Sequence, residues 1–170
     1  MTTKTKETEA AALRHFLQAQ RTGALTIING LTETQLRTPA LPSGWTPLGL
    51  IEHLGHAERH WFQEVAQGAA KDLPWTDEPT AAAPEAPFTT PHPTTEVIAF
   101  YRTQCELSDA VLSSTPLNTR PLGRHEEAMD DDVTDLRWIA LHMIEETARH
   151  AGHLDAAREL LDGQVGLGPR

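Results

Sequence analysis

The chain has 170 residues, of which 39% are hydrophobic and 22% are charged, a composition typical of a globular domain rather than a disordered segment. The formal net charge of −10 argues against a surface that binds nucleic acid, and no apolar run reaches the roughly 20 residues that a membrane span requires. The sequence begins without the apolar centre of a signal peptide and contains a single cysteine, Cys105, so we expect a cytoplasmic protein without intrachain disulfides.

Four segments repeat apolar residues with the period of an amphipathic helix. Their approximate ranges are 7–30, 46–67, 94–114 and 133–162. Residues 32–35 could add a short helical turn. Thr46 can cap the second helix, and Pro47 suits its first position, where a missing N–H costs nothing. Residues 130–135 are mostly acidic and suit the cap and first turn of the last helix. We predict an all-α protein with one domain over residues 1–170.

Two connections between these helices are predicted to be irregular. Residues 68–93 contain six prolines, and connections of this length usually form lids, binding loops or disordered segments. Trp75 and Phe88 within this stretch favour partial docking onto the helical body. Residues 115–132 form the second irregular connection, which starts close to a helix-breaking proline.

Polar side chains interrupt the apolar seam of the last helix. The seam advances in steps of three and four residues through Leu136, Ile139, Met143, Glu146, His150, His153 and Ala157. A buried, unpaired carboxylate costs several kcal/mol or becomes protonated, so Glu146 requires a partner on a facing helix or an open cavity. His150 lies one turn further on, a spacing that lets two side chains bind one metal ion but that also occurs in solvated pairs. His142 and His153 lie only about 40° and 20° from Glu146 around the helix and remain candidates.

The second helix carries three further histidines, His53, His56 and His60. They fall within a sector of roughly 60° around the helix axis. Because one helix rarely surrounds an ion, we expect a third ligand from this group. Spacing leaves the three equivalent, and a solvated helix flank is the expected environment of His56 and His60.

Three segments closely resemble the DinB-like (YfiT-like) proteins: GWTPLGLIEHL at 44–54, ERHWF at 58–62 and LRWIALHMIEETARHAGHL at 136–154. Within that superfamily, the chain is most similar to the branch of mycothiol transferases and the N-terminal domain of mycothiol-dependent maleylpyruvate isomerase. The resemblance implies a four-helix bundle that holds a divalent metal, zinc first and nickel as the alternative. The implied ligands are His53, Glu146 and His150. Most DinB-like proteins have histidine at the position of Glu146, whereas the mycothiol-dependent branch has glutamate.

The resemblance also implies an activity. The expected protein is a metal-dependent thiol S-transferase that conjugates a low-molecular-weight thiol, mycothiol, to an electrophilic small molecule in detoxification. The maleylpyruvate isomerase has a further C-terminal domain, whereas this sequence ends at Arg170, so we expect transfer rather than isomerisation. The alternatives are a metal-dependent hydrolase, isomerase or cyclising enzyme on the same scaffold, and a non-enzymatic stress protein that binds a metal or ligand. A homodimer is one assembly that we consider.

Two imidazoles and one carboxylate leave coordination positions open, as in catalytic sites. A thiol that entered such a position would lose its proton, so no protein nucleophile is required, and we interpret Cys105 as a packing residue. Arg149 and His153 are candidate contacts for the thiol cosubstrate. A salt bridge to Glu145 is the alternative role of Arg149.

Overall fold

The computed structural model describes residues 8–69, 88–125 and 132–166, and all regular structure in these ranges is helical. In chain order the helices are α1 (Glu9–Ile28), α2 (Glu33–Leu36), α3 (Pro47–Arg59), α4 (Thr94–Ser114) and α5 (Leu136–Asp162), and α3 continues into a π-helical segment, His60–Ala66. The predicted all-α bundle is therefore confirmed. Among the described helices, none has both the length and the apolar character needed to cross a bilayer.

The bundle is built from two main helix pairs. α1 packs mainly against α5, and α3 packs mainly against α4, while α3 and α5 also touch each other. Apolar side chains from all four long helices fill the centre; Leu17, Leu54 and Ile139 are among those that are completely buried. Burial of such a side chain contributes about 1.5–3 kcal/mol. This core sets the relative positions of α3 and α5.

α3 starts where the sequence indicates and ends in an unexpected conformation. The Gly49 amide donates to Thr46 Oγ1 at 3.1 Å, which caps the first turn. Within the predicted helix, the seven residues His60–Ala66 widen into a π-helix. The connection after α4 bonds to its last two carbonyl groups: the Gly123 amide donates to Val65 O at 2.9 Å and the Leu122 amide to Ala66 O at 3.3 Å. A Cβ added at Gly123 would lie 2.1 Å from Glu64 O, so only glycine permits this approach.

α5 begins at Leu136, three residues later than the predicted start at 133. The Trp138 amide donates to the Asp135 carboxylate at 2.9 Å, so the cap is the last of the acidic residues. The Leu136 amide donates to Thr119 O at 3.0 Å, a long-range contact that ties the first turn of the helix to the preceding connection. Residues 130–131 lie outside the described ranges.

A buried ion pair connects α1 with α3. Arg21 is 2% exposed and donates from Nε and Nη2 to the two carboxylate oxygens of Glu58, each at 2.7 Å. Its Nη1 donates to Asp109 on α4 at 2.8 Å. Burial is the largest single influence and lowers the pKa of Arg21, but the neighbouring groups, Glu58 first and Asp109 among the others, together raise that pKa above its ordinary value. Helical periodicity does not reveal this pair, because its members lie 37 residues apart in the sequence.

A second buried arginine joins α5 to α1. Arg158 Nη1 donates to the main-chain oxygens of Ile27 and Asn29, at the C-terminal end of α1. Its Nε donates to Asp162 one turn further along α5. The bonds to Ile27 O and Asn29 O satisfy main-chain carbonyl groups that the end of α1 leaves without partners.

Candidate metal centre

Three polar side chains from α3 and α5 converge at one point. His150 Nε2 lies 2.9 Å from Glu146 Oε1, and His53 Nε2 lies 3.2 Å from the same oxygen. One ligand atom from each residue falls within 4.8 Å of the others, and no other group of three potential ligands does so in the part of the chain that the structure describes. The three residues implied by the resemblance are therefore neighbours in space.

The helices determine this geometry. Glu146 and His150 lie one turn apart on α5, in the seam that also contains Ile139 and Met143, which are completely buried. These two apolar side chains hold the seam against the core, so the polar pair points toward α3. His53 projects from the facing side of α3 and completes the group.

Hydrogen bonding keeps the carboxylate ionised. The hydrogen bond with His150, followed by the weaker effect of the one with His53, holds the pKa of Glu146 well below its usual range. These bonds outweigh partial burial, which alone would raise that pKa. Because the folded-state pKa is depressed, the ionised carboxylate stabilises the fold above its unfolded-state pKa, and this contribution is lost as the pH falls through the folded-state pKa. The centre therefore combines an ionised carboxylate with two imidazole rings.

This donor set fits a divalent metal ion. Imidazole nitrogen and carboxylate oxygen are ligands that zinc accepts, and imidazole also suits nickel. Three protein ligands leave at least one position free for a substrate atom. His53, Glu146 and His150 are the residues that would hold such an ion.

Packing separates His53 from the two histidines that spacing left equivalent. His56 is only 6% exposed and packs against Phe100 of α4, with ring centroids 4.9 Å apart. The expected solvated flank is wrong for His56, because α4 covers that side of α3. His60 is partly buried, and its Nδ1 lies 2.8 Å from Glu64 Oε2, so it belongs to a different hydrogen-bonded group.

An aromatic cluster forms around Trp61, in the π-helical segment that follows α3. His142 stacks on Trp138 at 5.2 Å and lies 4.5 Å from Trp61, measured between ring centroids. Burial lowers the pKa of His142. His125 stacks on Trp61 at 4.7 Å, and its Nδ1 lies 2.9 Å from His60 Nε2. Sequence reasoning missed His125, since a lone histidine in an irregular connection has no informative spacing.

The two candidate cosubstrate residues differ in their surroundings. His153 Nδ1 lies 3.4 Å from His150 Nδ1, so it is placed to orient a candidate ligand. Burial and then the charges of His150 and Arg149 lower the pKa of His153. Arg149 is exposed and forms no ion pair within the described ranges, so the salt bridge to Glu145 is not observed. Their contact with a thiol remains a prediction.

Phe88 borders the candidate centre from the connection between α3 and α4. Its ring centroid lies 4.1 Å from that of His53 and 5.8 Å from that of His150. The predicted docking of Phe88 onto the body is therefore confirmed. Trp75 lies outside the described ranges, as do residues 70–87 of this connection.

Cys105 lies on α4, away from the candidate centre, and packs against the core cluster that contains Tyr101. Burial raises the pKa of the Cys105 thiol to about 12. The prediction that Cys105 is a packing residue agrees with this environment, since the reactive form of cysteine is the thiolate.

Native Cys105 is expected to react with a thiol reagent at about pH 8 at least roughly 100-fold more slowly than the denatured protein, because burial suppresses the thiolate. The rates can be followed with a chromogenic disulfide in native buffer and in denaturant. Cys105→Ala is expected to leave metal binding unchanged. Rapid modification of the native thiol would contradict the structural role.

Comparison with known proteins supports the fold and the family. The crystal structure described as the conserved protein of a locus from Enterococcus faecalis matches with a TM-score of 0.61 at 14% identity, covering 90% of this chain and 96% of that chain. At that identity the match shows the fold alone. No curated protein matches the sequence. A family model described as Mycothiol-S-transferase matches residues 12–163. Because this match spans nearly all of the sequence, the chain belongs to the mycothiol S-transferase family.

Proposed function

We propose that the protein is a metal-dependent thiol S-transferase that joins mycothiol to an electrophilic small molecule. The observation that carries this proposal is the convergence of donor atoms from His53, Glu146 and His150 within 4.8 Å, in a chain of the mycothiol S-transferase family. The carboxylate would balance part of the charge of a divalent ion, and a set of three protein ligands would leave the ion accessible to a small molecule.

We expect the metal to be zinc, and nickel is the alternative. Zinc binds nitrogen and oxygen ligands readily, and catalytic zinc sites commonly use three protein ligands. When bound, such an ion lowers the pKa of a coordinating thiol and supplies a thiolate near neutral pH.

The protein's own residues would hold and shield the reacting groups. Glu146 and the two imidazoles provide the ligand set, and the Phe88 ring forms an apolar border that limits water on its side of the centre. In the proposed transfer, the thiol would lose its proton to solvent and its sulfur would bond to an electrophilic carbon, while the bond from that carbon to a leaving group, or to the heteroatom of a strained ring, breaks and the heteroatom keeps the electron pair. No covalent protein intermediate is needed, which agrees with the buried, high-pKa thiol of Cys105.

The protein is expected to form the mycothiol conjugate of a chlorobimane only when it is loaded with metal. Purified protein is stripped with a chelator, reloaded with Zn²⁺ or Ni²⁺, and incubated with mycothiol and the electrophile, and the conjugate is identified by mass spectrometry. Cysteine and glutathione serve as matched thiols. Full activity of the stripped protein would exclude metal dependence, and equal rates with all three thiols would exclude mycothiol as the specific cosubstrate.

A further inference from the structure

The second ring nitrogen of His53 forms no hydrogen bond with any described residue that could orient the ring. Imidazole ligands of metals generally use their second ring nitrogen for a hydrogen bond that orients the ring. His150 has such a neighbour, because its Nδ1 lies 3.4 Å from His153 Nδ1. Within the described residues, His53 makes one hydrogen bond, from Nε2 to Glu146, and none from Nδ1. Ring packing is therefore the remaining contact by which the protein itself can orient this imidazole.

The Phe88 ring supplies that contact. It covers the His53 ring with a centroid separation of 4.1 Å and an interplanar angle of 34°, and it meets His150 edge-on at 84°. Offset and edge-on arrangements of aromatic rings are favourable. Phe88 also has a positive φ of 55°, and no other non-glycine residue does so within the described ranges. Such a backbone conformation persists only where the surroundings enforce it.

The first turn of α3 holds the backbone of Phe88. The Thr46 amide donates to Phe88 O at 3.1 Å. A Cβ added at Gly49 would lie 1.9 Å from Phe88 O and 2.7 Å from Thr89 Cα, so the missing side chain of Gly49 is what lets the two backbones meet. The position of Phe88 thus depends directly on α3, the helix that carries His53.

Side chains hold the residues that follow. The Arg37 guanidinium donates to Thr90 O at 2.9 Å and to His92 O at 2.7 Å. His92 Nδ1 lies 2.6 Å from Glu52 Oε1, and Glu52 is the neighbour of His53 in the sequence. Residues 88–92 are therefore attached to the body at both ends.

We propose that Phe88 is a positioning residue for His53, and that the 88–92 segment acts as a clamp that aims His53 Nε2 at Glu146. This inference rests on the proposed metal site. Phe88 restricts rotation of the His53 imidazole, so metal affinity depends on a residue that offers no ligand atom. It also depends on Gly49, because a side chain at that position would displace the clamp.

The test measures Zn²⁺ affinity of the full chain by competition with a chromogenic chelator. Phe88→Ala and Phe88→Leu are expected to weaken binding roughly 10-fold or more, the range found when the groups that orient a ligand are removed. Phe88→Tyr keeps a planar ring and retains wild-type affinity. Gly49→Ala displaces the clamp while residue 88 is intact and weakens binding in the same way. Gly152→Ala is the matched control, since a Cβ there meets nothing within 4 Å.

A second measurement separates positioning from general stability. The visible absorption of the Co²⁺-loaded protein reports ligand geometry, and it is expected to change in Phe88→Leu but not in Phe88→Tyr or Gly152→Ala. Unchanged Zn²⁺ affinity together with unchanged Co²⁺ spectra in Phe88→Leu would overturn the inference but not the proposed metal site. This test does not depend on whether Gly49→Ala folds. Failure of the wild type to bind Zn²⁺, or equal binding by His53→Ala, would overturn the site and the inference together.

Discussion

Replacing His150 with alanine is expected to lower zinc affinity by more than about 100-fold and to abolish metal-dependent transfer to the electrophile. Loss of a group that only orients a ligand already costs roughly 10- to 100-fold in affinity, so loss of a ligand costs more. The substitution also removes the shorter of the two hydrogen bonds to Glu146, at 2.9 Å. The measurements are zinc content after dialysis, zinc affinity by chelator competition, and the rate of conjugate formation.

The matched control for this variant is His15→Ala. His15 is an exposed histidine on α1 whose described ring contact is with Phe16. Its replacement removes one histidine, as His150→Ala does, but leaves the candidate centre unchanged. It is expected to bind zinc and to react as the wild type does. If His150→Ala kept both its metal and its activity, His150 would not be a ligand. If His15→Ala lost its metal to the same extent, the effect would not be specific to the centre.

Replacing Arg21 with methionine is expected to reduce the free energy of unfolding by about 3–5 kcal/mol, the cost of leaving one member of a buried ion pair without its partner. Glu58 is 0% exposed and receives two hydrogen bonds from Arg21, each 2.7 Å long. Domains are stable by only about 5–15 kcal/mol, so this loss is a large fraction of the total. Urea denaturation followed by circular dichroism measures it.

A second substitution shows whether the unpaired charge is the cause. Glu58→Leu in the Arg21→Met background removes the unpaired carboxylate and is expected to recover most of the lost stability. The reason is that replacement of a whole buried ion pair by apolar side chains is often neutral or favourable. Asp109→Asn is the milder control, because Asp109 is 33% exposed and water can replace Arg21. A double variant no more stable than Arg21→Met would contradict this explanation. So would an Asp109→Asn variant that lost as much stability as Arg21→Met.

Local sequence patterns predict the helices well, because each pattern reports on a property of its own segment. The period of apolar residues indicates all four long helices, and Thr46 with Pro47 marks the start of α3. α5 starts later than predicted because Asp135 caps it and the Leu136 amide donates to Thr119 O in the preceding connection. The π-helical end of α3 likewise depends on Gly123, which lies far along the chain.

By itself, the sequence determined that Glu146 and His150 share one face of a helix, since angle around an axis follows from spacing along it. Spacing could not choose among His53, His56 and His60, which share a sector of their own helix. Only the tertiary structure separated them: α4 buries His56, His60 contacts His125 from the connection after α4, and His53 faces Glu146 across the bundle. The physical reason is that helical periodicity sets the direction of a side chain about its own axis, whereas the neighbour found in that direction depends on how the helices pack.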